Sequence, residues 1–340
     1  MSRQSELAEL SRVYDSSALS NRNMIINGAM NVAQRATSVT GIGGSSGYHV
    51  CDRWRIGSGT TAGRLTMTQE SDGPSGFANC TKLACTTADT SIAAGESLNF
   101  QQIIEGQDLQ RICKGTSDAK ELTFSFYVKG NAAATYTVEL FDASNSRQIS
   151  KTFSVTTAWT RVSLTYPADT TGAFTDSNAA ALYVVIWLHA GSDVTSGTLN
   201  STSWAANVEA NRVSGSQTSF LDSTARTFFI TGVQLEVGDT ATPFEHRSYG
   251  HELERCQRYF YKESYGGSGP FATQYEASHK FVHVFHPTTM RSLPTSTVSY
   301  AGGTMSEYQS SVRHFKAYIS SSTSDTTQRY LTAYQADAEL

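Results

Sequence analysis

Residues 121–142 read ELTFSFYVKGNAAATYTVELFD, and this stretch decides the fold class. Apolar and polar side chains alternate along both halves, which is the pattern of a β-strand with one buried face. The residues that share a buried face are Leu122, Phe124, Phe126 and Val128 in the first half, and Tyr136, Val138 and Leu140 in the second. Two such strands in succession, with no helical pattern between them, favour an antiparallel sheet.

Similar segments recur along most of the chain, with turn residues between them. The further strand candidates are 48–56, 64–69, 80–86, 96–105, 147–155, 160–166, 181–189, 226–237, 279–286, 294–300, 311–319 and 328–335. Helices do not alternate with these strands, so the sequence predicts an all-β fold whose main domain, residues 23–240, is an antiparallel jelly-roll β-sandwich. No repeat of fixed period is present in the sequence, which argues against a β-helix.

Residues 231–261, TGVQLEVGDTATPFEHRSYGHELERCQRYFY, predict a strand, a loop with a proline and a helix. We expect Ser248 to cap this helix. Four residues at spacings of four, three and four line one helical face: Tyr249, Leu253, Cys256 and Phe260. The charged residues, Glu252 among them, are expected on the wet face. The segment therefore predicts a joint between two structural units, with residues 241–340 forming the connecting helix and a smaller C-terminal β domain.

The N-terminal residues 1–22 predict a short amphipathic helix followed by a linker. Leu7, Leu10 and Tyr14 share one face of this helix, which is too short to be stable alone and therefore needs a partner surface. The segment has no apolar core of a signal peptide, and no stretch of the chain is long and apolar enough to cross a membrane.

The composition argues against a nucleic-acid partner and against a zinc ribbon. The chain of 340 residues has a net charge of −4 and contains no run of Lys and Arg, which argues against a nucleic-acid partner. Its five cysteines are an odd number and have no zinc-ribbon spacing. We expect synthesis in a reducing cytoplasm, where these thiols stay reduced.

Five segments carry a resemblance to a known group of proteins. They are NMIINGAMNVAQRATS (23–38), YHVCDRWRI (48–56), ELTFSFYVKG (121–130), ITGVQLEVGDTATPFEHRSYGHELERCQRYFYK (230–262) and YQADAEL (334–340). Together they resemble the tail fibre and other virion fibre proteins of tailed bacteriophages, which have a jelly roll like that of carbohydrate-binding modules. The resemblance covers most of residues 23–265, and the run from Gly232 to Tyr259 is its most specific part.

The resemblance implies a non-enzymatic virion protein, made in the host cytoplasm and often a homotrimer. The leading interpretation is a tail fibre that binds a host cell-surface glycan. Its N-terminal helix would attach to another virion protein, either a tail adaptor or nozzle or the capsid. The stripe of the connecting helix would pack around the trimer axis. The alternative is a head fibre or capsid decoration protein with the same fold. A glycan hydrolase or esterase is disfavoured because no catalytic signature is present.

Sugar binding requires exposed aromatic rings beside planar polar groups. The residues with this potential are Trp204 in a polar loop and Tyr265, Phe271 and Tyr275 around a Gly-rich loop. A ring that pins the loop remains an equal alternative for Trp204, and an inter-subunit contact remains one for the other three. Trp54 and Trp187 are predicted to be core residues.

No metal site and no cofactor is predicted. The segment DTTGAFTDSN (169–178) offers oxygen ligands for calcium but lacks the EF-hand pattern. His283 and His286 lie at opposite strand parity, which makes them poor joint ligands. The segment Gly43–Gly47 matches the spacing of a nucleophile elbow, but its flanks predict a flexible turn.

Overall fold

The structure is a computed structural model that describes residues 21–265, 269–270, 273–276, 279–301, 306–320 and 330–340. It divides into two compact units, the first ending at Arg247 and the second beginning at Ser248. The predicted N-terminal helix, with Leu7, Leu10 and Tyr14, lies outside the described residues. No helix in the described ranges has the length and apolar character needed to span a membrane.

The first unit is an antiparallel jelly-roll sandwich of two sheets, as the sequence predicts. The six-stranded sheet has, in spatial order, β1 (Ser38–Ile42), β4 (Arg64–Glu70), β5 (Cys80–Thr87), β13 (Thr227–Val237), β7 (Leu122–Gly130) and β10 (Thr160–Tyr166). The seven-stranded sheet has β12 (Ala205–Ala206), β9 (Arg147–Val155), β8 (Ala134–Asp142), β11 (Ala180–Ala190), β6 (Ser97–Glu105), β3 (Arg55–Ser58) and β2 (Gly47–Tyr48). Its short helices are the 3₁₀ segments Gly106–Ile112 and Glu209–Asn211 and the α-helix α1 (Ser192–Thr195).

The core lies between the two sheets and is built by strand alternation. All the apolar residues predicted to face inward from β7 and β8 are buried in one cluster. Trp54 is fully buried and stacks on Phe100 of β6, with ring centroids 4.6 Å apart and planes 8° apart. Truncating a buried ring of this size to alanine typically costs about 3–5 kcal/mol. Burial by the two facing sheets therefore dominates the stability of the sandwich.

Strand β13 contains a β-bulge at Gly232, and this bulge explains why even-numbered residues face the core before it and odd-numbered residues after it. Phe228 and Ile230 point into the core before the bulge, and Val233 and Leu235 do so after it. One extra residue shifts the alternation by one position, so that both pairs reach the same face. Gly232 has φ +61°, a conformation that glycine adopts without strain.

Charged residues at the end of β13 and just after it hold the first unit together. The buried carboxylate of Glu236 accepts hydrogen bonds from the backbone N–H and the hydroxyl of Thr242. Glu245 accepts from the backbone N–H of Asn23, and Arg247 donates to the carbonyls of Asn23 and Ile25. These groups fasten the start of the domain to its end, which gives them a structural role.

The second unit begins with α2 (Tyr249–Gln257), which Ser248 caps by accepting a hydrogen bond from the N–H of His251. Its three-stranded sheet has β14 (Phe260–Ser264), β20 (Tyr330–Asp337) and β17 (Thr295–Ala301). Its four-stranded sheet has β15 (Thr273–Glu276), β16 (His279–Phe285), β19 (His314–Ser320) and β18 (Ser306–Ser310). A separate core includes Val282, Phe315 and Tyr334.

The predicted helical stripe differs from the structure in two respects. Phe260 belongs to strand β14, because α2 ends at Gln257 and the aromatic run that follows pairs with β20. Glu252, expected on the wet face, is 8 % exposed and lies on the buried side with Cys256. Tyr249 remains 59 % exposed and Leu253 is half-buried, so these two residues form the accessible part of the stripe.

Candidate functional site

A groove on the outer face of the seven-stranded sheet is the main candidate site. Its cavity volume is about 350 Å³. Outward-facing residues of β3, β6, β8 and β11 form most of it, together with Ser46 and Arg212 from outside these strands. On β11, for example, Leu182, Val184 and Ile186 point into the core, so the residues between them face outward. The lining residues are Ser46, Arg55, Gly57, Ser58, Asn99, Gln101, Phe141, Tyr183, Val185, Trp187 and Arg212.

Two aromatic rings provide an apolar surface in the groove. Phe141 of β8 and Tyr183 of β11 are opposite each other in the strand register, with ring centroids 6.0 Å apart in an edge-to-face arrangement. Both side chains are half-buried, so part of each ring is open to solvent. Such rings can stack against the C–H faces of a sugar, while their edge-to-face contact holds them in place.

A buried ion pair fixes one end of the groove. Arg212 donates two hydrogen bonds to the fully buried carboxylate of Glu139, at 2.8 and 3.0 Å. The indole N–H of Trp187 donates to the same carboxylate at 2.9 Å. The guanidinium also lies over the rings of Phe141 and Trp187, at 5.0 and 5.1 Å from their centroids. Arg212 therefore positions two aromatic side chains at once.

Burial and pairing act in opposite directions on this ion pair. Burial raises the pKa of the Glu139 carboxyl above its ordinary value, and the contacts with Arg212 and Trp187 oppose that shift. For Arg212, desolvation opposes the charged form, but the carboxylate of Glu139 outweighs it and the pKa is raised. The bidentate geometry keeps this guanidinium in one orientation beside the groove.

Several polar groups of the groove have no protein partner within the described residues. The Oδ1 atom of Asn99 is buried and accepts no hydrogen bond. No carboxylate in the described ranges lies within salt-bridge distance of Arg55, and the side-chain amide of Gln101 makes no hydrogen bond there either. The side chains of Arg55 and Gln101 line the groove and can hydrogen-bond with the hydroxyls of a ligand.

Gly57 makes room for one of these groups. A Cβ atom at this position would collide with the side-chain amide of Asn99 on the neighbouring strand. The absence of a side chain at residue 57 therefore lets Asn99 lie across β3 and line the groove.

The predicted sugar-binding residues lie elsewhere or outside the described side chains. Trp204 is half-buried against the core of the first unit, and its N–H donates to the carbonyl of Pro167 at 2.9 Å. This contact pins the long loop, and Trp204 does not line the groove. Tyr265 is half-buried in the second unit. Phe271 lies outside the described residues, and the side chain of Tyr275 is not described.

Protein cations pair with Asp169, the first carboxylate of the segment considered for calcium, and with Asp142 of β8 beside it. The ammonium of Lys114 lies 2.6 Å from Asp142 and 3.0 Å from Asp169, and Arg147 forms a bidentate contact with Asp169. Hydrogen bonds from Arg147 and Lys114 outweigh the effect of burial and lower the pKa of Asp169. Both carboxylates are thus already balanced by side-chain charges.

The sequence pattern did not single out the groove residues Arg55, Asn99, Gln101, Phe141 and Tyr183. They come from four strands that are far apart in the sequence, and only the pairing of these strands brings them together. Trp187 is 4 % exposed, as a core residue would be, but it lies on the outer face of the sheet beneath Arg212. Alternation along the predicted strands places these residues on the outer face of the sheet, and this was the available indication that they could line a site.

No known family model matches the chain, and no curated protein matches it. Among solved structures, it is similar to a family 4 carbohydrate-binding module at 12% identity and a TM-score of 0.32, covering 62% of this chain and 98% of that one. It is similar to a family 61 module solved with β-1,4-galactotriose at 8% identity and a TM-score of 0.34, covering 64% and 100%.

The chain is also similar to the enzymatically active domain of tailspike protein 4 from bacteriophage CBA120, at 12% identity and a TM-score of 0.32. That match covers 64% of this chain but 22% of the tailspike chain. These scores are too low to support an inference about function. The fold assignment therefore rests on the two sheets themselves.

Proposed function

We propose that this protein is a non-enzymatic structural component of a tailed-bacteriophage virion and binds a host cell-surface glycan through the groove. The observation that carries the glycan part is the combination of half-exposed rings with the side chains of Arg55 and Gln101, which have no protein partner within the described residues. Sugars present apolar C–H faces together with hydroxyl donors and acceptors, and this combination suits both. The virion part is supported by the sequence resemblance to phage fibre proteins.

We propose binding without turnover. Glycoside hydrolysis requires two carboxyl groups that flank the scissile bond. The carboxylate nearest the rings, Glu139, is held by Arg212 and Trp187 and serves to position them. We expect no reducing ends to appear when the purified protein is incubated with a polysaccharide that it binds.

We propose that the protein acts as a homotrimeric tail fibre attached through its N-terminal segment. A single shallow groove gives a weak site, but three grooves on one fibre and several fibres on one particle multiply the overall affinity. The head-fibre or capsid-decoration alternative uses the same fold in a different position on the particle.

The test of glycan binding is a panel of lipopolysaccharides and capsular polysaccharides purified from bacterial strains and immobilised on a sensor. We expect saturable binding to at least one of them. Absence of binding across strains that the intact phage adsorbs to would contradict the proposal. Quantitative mass spectrometry of purified particles separates the two virion positions: about tens of copies indicates a tail fibre, and several hundred indicates coverage of the icosahedral shell.

A further inference from the structure

A second cluster of polar side chains lies buried at one end of the sandwich. Asp89, Glu96 and His189 place one donor atom each within 4.8 Å of one another. Asp89 follows β5, Glu96 directly precedes β6 and His189 lies near the end of β11. Their exposed fractions are 7 %, 8 % and 0 %. None of them lines the groove described above.

One nitrogen of His189 is held and the other is aimed into the cluster. Nδ1 lies 2.8 Å from the hydroxyl of Ser219. Nε2 is buried, has no hydrogen-bond partner among the described residues, and lies 3.7 Å from a carboxylate oxygen of Glu96. If Nδ1 donates its proton to Ser219, Nε2 presents a lone pair to the two carboxylates. The hydroxyl of Ser219 can accept this proton, and metal-bound histidines typically donate their other ring N–H to such a second partner.

Within the part of the chain that the structure describes, this imidazole is the one side chain that could balance the charge of the two carboxylates. Asp89 accepts hydrogen bonds from the hydroxyl of Thr61 and the N–H of Ala62, and Glu96 accepts from the N–H of Ala93. These donors are all neutral. No Lys or Arg of the described ranges pairs with either carboxylate. Two buried acidic groups so close together are unfavourable unless a cation is shared between them.

We propose that Asp89, Glu96 and His189 bind a divalent transition-metal ion, and that zinc is the first ion to test. One imidazole nitrogen and two carboxylate oxygens are a donor set that zinc accepts. Two ligand atoms, each about 2.1 Å from a tetrahedral ion, lie about 3.4 Å apart. The separation of 3.7 Å between Nε2 and Oε2 is too long for a hydrogen bond, but it is close to this spacing.

The ion would tie the two sheets together. Residues 88–96 connect β5 of the six-stranded sheet to β6 of the seven-stranded sheet, and His189 belongs to the strand beside β6. On the same two strands, Trp187 and Asn99 are register partners that line the groove. Metal binding would therefore stabilise the first unit and restrict the motion of the two strands at this end of the groove. The metal proposal does not depend on glycan binding.

The experiment uses the full chain after dialysis against EDTA and then against metal-free buffer. Zinc chloride is titrated in competition with a chelating dye, and thermal unfolding is followed with and without zinc. We expect about one equivalent of bound zinc and a higher Tm, because a ligand that binds the folded state stabilises it. His189→Gln is expected to weaken zinc binding at least about tenfold. The control His251→Gln, which removes an exposed imidazole on α2, should leave the affinity unchanged.

Cobalt(II) substitution of the unmutated protein provides a readout that does not depend on a variant folding. Visible d–d bands without a thiolate charge-transfer band in the near-ultraviolet are expected from nitrogen and oxygen ligands, and this result excludes binding by the cysteines. Failure of the wild type to bind stoichiometric zinc, a thiolate band, or equal zinc affinity in a folded His189→Gln variant would each overturn the proposal.

Discussion

At the scale of single residues, Arg212 links stability to the shape of the groove. Its guanidinium pairs with the buried carboxylate of Glu139 and covers the rings of Phe141 and Trp187. Removing one partner of a buried ion pair leaves an uncompensated charge, and this destabilises a protein far more than replacing both partners does. The residue is therefore needed by the fold, whatever ligand the groove takes.

Arg212→Met should reduce the free energy of unfolding by about 3–5 kcal/mol, because it leaves Glu139 buried without its partner. Urea unfolding followed by tryptophan fluorescence measures this loss. The double variant Arg212→Met/Glu139→Gln should recover much of it, since the buried charge is then removed as well. Equal losses for the single and the double variant would contradict the role of the pair.

Asp169 should make the stability of the first unit depend on pH. Its pKa is lowered in the folded chain because hydrogen bonds from Arg147 and Lys114 outweigh the opposing effect of burial. The stabilisation is present above the unfolded pKa of about 3.9 and is lost as the pH falls through the lower folded value. Urea midpoints of the wild type and Asp169→Asn should therefore differ most near pH 6, and the difference should shrink as the pH falls below about 4. A constant difference across this range would contradict the assignment.

At the scale of elements, the sequence predicted most strands because alternation is a local property. The observed bounds of β8, β9 and β10 are those expected, and most other predicted strands differ by one or two residues at an end. The strands β1, β12, β14, β15 and β18 were not predicted. The candidate 48–56 failed, because Arg53 adopts a left-handed conformation with φ +70° and separates β2 from β3. Phe260 was placed on a helix because its spacing fits one, but pairing with β20 determines its conformation. Local patterns do not determine which distant strands pair, and the groove could therefore not be predicted from them.

The bulge of β13 should tolerate only glycine at position 232. A Cβ atom there would lie 2.7 Å from the ring of Phe77 and 2.9 Å from that of Tyr127, and φ is +61°. Gly232→Ala should therefore combine the conformational cost of about 1–2 kcal/mol with a steric one. Gly41→Ala is the matched control, because Gly41 has φ +76° but no neighbouring atom within 4 Å. Chemical denaturation compares the two variants, and an equal loss in both would show that the rings adapt without cost.

At the scale of the whole molecule, the accessible part of the α2 stripe is the proposed trimer contact. Cys256 is fully buried within its own chain, whereas Tyr249 is 59 % exposed and Leu253 is half-buried. An exposed aromatic residue beside a half-buried leucine is favourable at an interface between subunits.

Tyr249→Asp should convert a trimer into a monomer without unfolding the second unit, because the side chain has few contacts within its own chain. Light scattering coupled to size-exclusion chromatography measures the mass. Glu254→Lys changes an exposed residue elsewhere on the same helix and should leave the trimer intact. A monomeric wild type, or a Tyr249→Asp variant that stays trimeric, would contradict the proposed contact.

The central claim is that the groove binds glycan, and one comparison tests it most directly. The affinity for the polysaccharide selected from the panel is measured for the wild type, Tyr183→Ala and Phe229→Ala. Tyr183 lines the groove, whereas Phe229 is a half-buried aromatic residue on the six-stranded sheet. We expect Tyr183→Ala to weaken binding at least about tenfold, or about 1.4 kcal/mol, and Phe229→Ala to leave it unchanged. Unaltered binding by a folded Tyr183→Ala protein would contradict the account.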